Sequence, residues 1–339
     1  LASLMGTTGA AMLTVRPLIR ANATRTYRVH SLLFFIFLVA NIGGGLTPIG
    51  DPPLFLGFLQ GVSFLWTLEH MAAPVALNTL LLLTMFFCLD QFLYKKEILI
   101  KEHIFPPLTA GNKSGFRLYG KINLVLLALI VTAVIISGIW HPGSFAILGI
   151  EVAYESLLRD IALIIIIFIS LIFTDKQVRN GNEFDWEPMW EVGQLFLAIF
   201  IVIIPVLSIL KAGESGAFSP LVKLVNDVNG QPINPLYFWI SGGLSSFLDN
   251  APTYFVFFNL ACGDAHYLMQ QAPQTLLSIS MGSVFMGAIT YIGNAPNLMV
   301  RSIAIQRGVK MPGFFKYISY SLLVLAPVFF IDMLIFLMR

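Results

Sequence analysis

The sequence predicts an all-α polytopic membrane protein with inverted-topology repeats, a re-entrant hairpin and discontinuous helices. Three observations predict it. The chain of 339 residues is 57% apolar and only 11% charged, whereas a soluble domain carries about a quarter charged residues. Residues 161–174, 195–210 and 321–338 are near-continuous apolar runs without a polar stripe. With a few flanking residues each reaches the roughly 20 needed to cross a bilayer core. Third, the heptad TPIGDPP at 47–53 returns as TYIGNAP at 290–296, 243 residues later.

The elements follow in order. Residues 1–13, LASLMGTTGAAML, read as the end of a helix whose start is absent, an N-terminal truncation. A basic loop occupies 14–30. Residues 31–67 are apolar but interrupted by NIGGGLTPIGDPP, and 72–94 form a clean span followed by a polar loop, 95–120. Spans are expected at about 121–140, 158–174 and 188–210. Residues 211–234 are polar and rich in Pro and Gly. The apolar stretch 235–262 breaks at LDNAP, the stretch 275–306 breaks at TYIGNAPN, and a last span covers 314–338. A single membrane domain is expected, with 1–94 the remainder of a first repeat, 95–187 connecting loops and spans, and 188–339 a second repeat.

Arg and Lys orient the chain, because positive loops stay cytoplasmic. Arg16, Arg20, Arg25 and Arg28 lie in loop 14–30, and Lys95, Lys96, Lys101, Lys113 and Arg117 in loop 95–120. Arg301, Arg307, Lys310 and Lys316 form a third basic group, at 301–316. All three share the inner side only if 235–262 dips in and returns at LDNAP, as a re-entrant hairpin. Residues 211–234 and 263–274 then lie opposite. The two heptads run through the membrane in opposite directions, the mark of an inverted repeat.

A helix broken inside a bilayer frees backbone N–H and C=O groups. It persists only where buried in protein or lining a wet cavity, where those groups can bind an ion. A single Gly/Pro kink is more often packing alone. Two matched kinks, each carrying a polar side chain, point to a site. Thr, Asp and Asn oxygens suit a hard cation such as Na⁺. The third break, SSFLDNAPT at 245–253, holds Asp249, an acid inside a span. Its bland reading is a cap on the half-helix that begins near Pro252.

Other polar residues carry blander readings. Glu69 and His70 are expected between two spans, and Asp90 near headgroups. Asp264 and His266 fall in a turn, and Asp332 is expected as a packed or snorkelling residue of the last span. Glu151 and Glu155 are expected to share a face of a short stretch, as solvated surface. Cys88 and Cys262 are expected as buried packing residues. No P-loop, HExxH or GxSxG pattern is present, so an enzyme is not expected.

NIGGGLTPIGDPP, SSFLDNAPTYFVFF and YIGNAPNLMV resemble the NhaD-type sodium/proton antiporters and the related citrate-transporter-like proteins of the ion transporter superfamily, over nearly the whole chain. The resemblance implies an inner-membrane, multi-pass secondary transporter whose hairpin tips and broken helices meet at the ion site. It assigns Ser246, Asp249, Asn250 and Thr253 to the second tip and Thr290, Gly293, Asn294 and Asn297 to the second broken helix. Thr47, Gly50 and Asp51 belong to the first. Two departures stand out: the first hairpin is expected before residue 1, and Asp51 and Leu54 replace the Thr and Asn that carboxylate-transporting relatives carry. Asp51 and Asp249 would repel a dicarboxylate, so Na⁺/H⁺ exchange is the expected activity, with Na⁺ at Asp249, Asn294 and Asp51. A Na⁺-coupled organic-anion (citrate or dicarboxylate) or oxyanion carrier is the alternative. The expected partners are Na⁺, H⁺ and the lipid bilayer, with no cofactor and no nucleic acid; a homodimer stays open.

Overall fold

The computed structural model describes residues 1–101, 120–140, 142–147, 150–181, 219–227 and 230–338, with scattered positions between 182 and 218. The expected span at 188–210 and the centre of loop 95–120 lie for the most part outside the described residues. The chain divides into two compact units, one of residues 1–105 with 194–339 and one of residues 106–193.

The first unit starts with α1 (Ala2–Met5) and α2 (Thr7–Ala21), separated by Gly6 alone. Helix α3 (Val29–Leu38) leads into a 3-10 turn at Ile42–Gly44, an irregular stretch, and α4 (Pro52–Leu59). Pro52 sits at the first turn of α4, where a missing N–H costs nothing. Helix α5 (Phe64–Lys101) has 38 residues. At 1.5 Å per residue it extends about 57 Å, well beyond a bilayer core of about 30 Å. Glu69 and His70 therefore lie in the first turns of α5 rather than between two spans.

The second unit holds α6 (Ile122–Ile139), an antiparallel hairpin of β1 (Ser144–Ile147) and β2 (Ile150–Ala153), α7 (Tyr154–Phe173) and α8 (Lys176–Gly181). Helices α6 and α7 pack together, and Thr174 Oγ1 donates to Asn123 Oδ1 at 2.8 Å. The hairpin was not expected. It places Glu151 on a strand and Glu155 on α7, so the two lie on different elements and not on one short stretch.

The first unit resumes with α9 (Ser219–Val225), α10 (Asn234–Leu248) and α11 (Asn250–Leu260), the last two separated by Asp249. Then come α12 (Ala265–Gln270), α13 (Pro273–Met286), a 3-10 turn at Gly287–Ile289, α14 (Ala295–Gln306), α15 (Phe314–Asp332) and a π-helical turn at Met333–Leu337. Helix α13 is buried nearly end to end and packs against both α10 and α11.

Among the described residues four helices are apolar and long enough to cross a membrane: Phe64–Glu97, Ile122–Ile139, Tyr154–Phe173 and Phe314–Leu337. Their outer faces are apolar as well, with Leu80, Phe87, Ile172 and Leu323 exposed. Faces of that kind are stable against lipid and not against water. The protein is an all-α polytopic membrane protein. The same rule corrects the expectation for Cys88 and Cys262, both of which are exposed. In a bilayer an apolar segment need not be buried in protein.

Candidate functional site

Two points of the backbone adopt the same unusual geometry. Gly6 has φ 81° and ψ 151°, and Asp249 has φ 75° and ψ 147°. They lie 243 residues apart, the spacing of the two heptads. Each ends one helix and starts the next within a single residue. The equivalence extends to the bonds around each break. Thr47 Oγ1 donates to Ser3 O, and Thr290 Oγ1 to Ser246 O. Ser3 Oγ donates to Gly43 O at 2.5 Å, and Ser246 Oγ to Met286 O at 2.9 Å. Packing is exchanged in the same sense: α2 lies on α14, and α11 on α4. The expectation that the first hairpin lies before residue 1 is therefore corrected. The break that matches Asp249 is at Gly6, and α2 follows it.

These breaks leave carbonyls and amides without helical partners, and Thr, Ser and Asn side chains take them up. Asn297 Nδ2 donates to Gly287 O and Thr290 O, each at 2.9 Å, and its Oδ1 accepts from Asn41 Nδ2 at 2.8 Å. Gly50 and Gly293 allow the close approach of tip and break. A Cβ on Gly293 would lie 2.6 Å from Gly287 O and 2.9 Å from Ser245 O.

At the centre is Asp51, 2% exposed. Its Oδ2 accepts from Asn250 Nδ2 at 2.6 Å. Its Oδ1 accepts from Thr7 Oγ1 at 3.0 Å, with Asn294 Nδ2 at 3.4 Å. Thr7 opens α2, Asn250 opens α11, Asn294 is the N-cap of α14 and Asp51 is the N-cap of α4. Four helix N-termini, each with a partial positive charge, thus meet at one carboxylate. Asn294 Nδ2 also lies 3.0 Å from Ala40 O and 3.2 Å from Asn41 Oδ1. Asn250 Oδ1 is buried without a partner.

Asp249 is half-buried beside this junction. It is the N-cap of α11, and its Oδ1 accepts from Asn250 N at 2.8 Å. Thr253 Oγ1 donates to Asp249 O at 2.8 Å, within its own turn. Among the described residues no Lys, Arg or His pairs with Asp51 or Asp249. Asp51, Asn250 and Asn294 meet directly. Thr47, Thr290, Ser246, Gly50, Gly293 and Asn297 support the backbone around them. Thr7, Asn41 and Ser3 belong to the same cluster and escaped the sequence reading. The signal was available: SLMGT at 3–7 matches SFLDN at 246–250 at the spacing of the heptads. A cavity of about 480 Å³, lined by Arg28, Phe34, Phe37, Lys310, Lys316 and Leu323 among others, shares no residue with this junction.

No curated protein and no solved structure matches the chain. A family model described as "Putative citrate transport" matches residues 1–337. With essentially its whole length matched, the chain belongs to that citrate-transporter-like family.

Proposed function

We propose that this secondary transporter exchanges Na⁺ for H⁺ at the junction of Asp51, Asp249, Asn250 and Asn294. The observation that carries the reading is the buried Asp51 carboxylate at the meeting point of four helix N-termini. Four such ends would ordinarily draw in an anion. Here the protein supplies the anion itself, and the half-buried Asp249 beside it adds a second negative charge. A site already filled by carboxylate favours a cation. Asn250 Oδ1, buried next to Asp51 without a hydrogen-bond partner, offers a further oxygen to a cation. A desolvated carboxylate that binds Na⁺ when ionised and H⁺ when neutral gives exchange without a nucleotide. The two repeats, inverted across the membrane, would then move about this fixed site.

One observation favours a second reading. The family description names citrate, so a Na⁺-coupled organic-anion or oxyanion carrier uses the same junction. In that case Na⁺ would neutralise Asp51 and Asp249 before the anion enters.

Full-length protein in lipid vesicles separates the two. The antiport reading requires an inward Na⁺ gradient to drive proton efflux, with Asp51→Asn and Asp249→Asn each reducing it at least tenfold. Citrate uptake on a Na⁺ gradient, with no proton movement on Na⁺ alone, would establish the carrier reading instead.

A further inference from the structure

A second acidic group lies away from the junction. Asp332 ends α15 and is 0% exposed. Both of its oxygens face a single donor, Asn78 Nδ2 of α5, at 2.9 and 2.8 Å. The same Nδ2 donates to Pro74 O at 2.8 Å. Asn78 is also 0% exposed, and its Oδ1 is buried without a partner.

Among the described residues the surroundings supply no counter-charge. Helix α13 and the turns Gly287–Ile289 and Met333–Leu337 carry no titratable residue. Helix α10 carries only Tyr237. On α15 the nearest cation is Lys316, sixteen residues before Asp332, or about 24 Å along the helix. On α5 His70 lies eight residues before Asn78, about 12 Å away, and Asp90 twelve after it, about 18 Å away. Trp239 Nε1 donates to Met333 Sδ, not to Asp332.

The hydrogen-bond count then distinguishes the two protonation states. An ionised carboxylate has about four acceptor positions. Here it would receive one N–H, shared between two oxygens, while an amide oxygen beside it stayed unsatisfied. A neutral carboxyl group fits both vacancies. Its O–H donates to Asn78 Oδ1 and its C=O accepts from Nδ2, once the amide turns about its Cβ–Cγ bond. The other N–H stays on Pro74 O. An acid and a primary amide close such a ring with every polar group paired.

We propose that Asp332 and Asn78 form a proton-binding site, in which Asp332 carries a proton that it donates to Asn78 Oδ1. The site joins α5 to α15, and it stands whether the junction at Asp51 carries a cation or an anion.

Infrared difference spectroscopy on full-length protein in lipid vesicles at neutral pH tests it. Wild type should show a deuteration-sensitive C=O stretch of a protonated carboxyl group that is missing in Asp332→Asn. Asn78→Leu, which removes the N–H donor, should move that band to higher frequency. If Asp332→Asn does not fold, the Asn78→Leu shift decides alone. Loss of an ionised-carboxylate band in Asp332→Asn, or a band position unchanged in Asn78→Leu, would overturn the proposal.

Discussion

Asp249 occupies a backbone region that costs an L-residue about 1–3 kcal/mol, and Gly6 meets the same geometry without a Cβ. The fold therefore does not require Asp at the second tip. Its cap bond to Asn250 N is also a small term, since a glycine cap is only a few tenths of a kcal/mol weaker. We predict that Asp249→Gly folds with equal or higher stability, by up to about 2 kcal/mol, and loses ion-coupled transport. Thermal unfolding in detergent and vesicle transport, measured on one preparation, check it. A destabilised but active variant would make Asp249 a cap and nothing more. This residue was legible in the sequence because an acid inside an apolar run stands out. Gly6 was not, because a glycine in LASLMGTTGAAML looks like its neighbours until it is aligned with Asp249. Asn41 was missed for a related reason. Its role comes from reaching across to Asn297, 256 residues away, and no local pattern encodes that.

At the level of elements, the two heptads were readable because Gly and Pro have few other uses inside a span. The structure gives each glycine its cause. The walls around a Cβ on Gly293 are backbone carbonyls of Gly287, Ser245 and Ser246, none of which can rotate away. Gly243, on the same tip-bearing α10, has nothing within 4 Å of its added Cβ. Gly293→Ala should therefore cost about 1–3 kcal/mol, as overpacking does. Gly243→Ala should be neutral or stabilise by roughly 0.5–1 kcal/mol, as expected for a helix interior. Paired melting curves in detergent test the contrast, and equal melting points would show that tip and break are not in close contact. The start of α5 was misread for a physical reason. Polar Glu69 and His70 followed by Pro74 resemble a connection, yet α5 runs through Pro74 as one helix. Glu69 stays on an exposed face.

Across the whole molecule, the three basic loops can be checked against contacts that charge counting never used. The expected loop 14–30 is helical over its first half, with Arg16 and Arg20 on α2; Arg28, in the connection from α2 to α3, donates through Nη2 to Gly308 O at 3.0 Å, which ties that connection to residues 301–316. Arg25 pairs with Asp90 at 2.6 Å and approaches Glu97 at 3.5 Å. His30 Nε2 lies 2.8 Å from Asp90, and Thr26 N donates to Glu97 Oε1 at 2.6 Å. That connection is thus also fixed to the end of α5, where the expected loop 95–120 begins. Asp90 serves that clamp and is not a free headgroup ligand. The connection between α2 and α3, the end of α5 and Gly308 thus lie together, and we propose from the positive-inside rule that they face the cytoplasm. With 211–234 on the opposite side, this proposal requires an odd number of crossings between Asn234 and Arg301, which is met if α10 and α11 enter and leave on one face. We predict that a cysteine at Gln306 in full-length protein is labelled by an impermeant maleimide only from the cytoplasmic side. Cys88 and Cys262 are exposed, so both must first be replaced by Ser or Ala. A control cysteine at Asp264, in the turn after α11, should react only from the opposite side. Labelling of Gln306 and Asp264 positions from the same side would mean that 263–306 does not cross, and the two heptads would then not be inverted relative to each other.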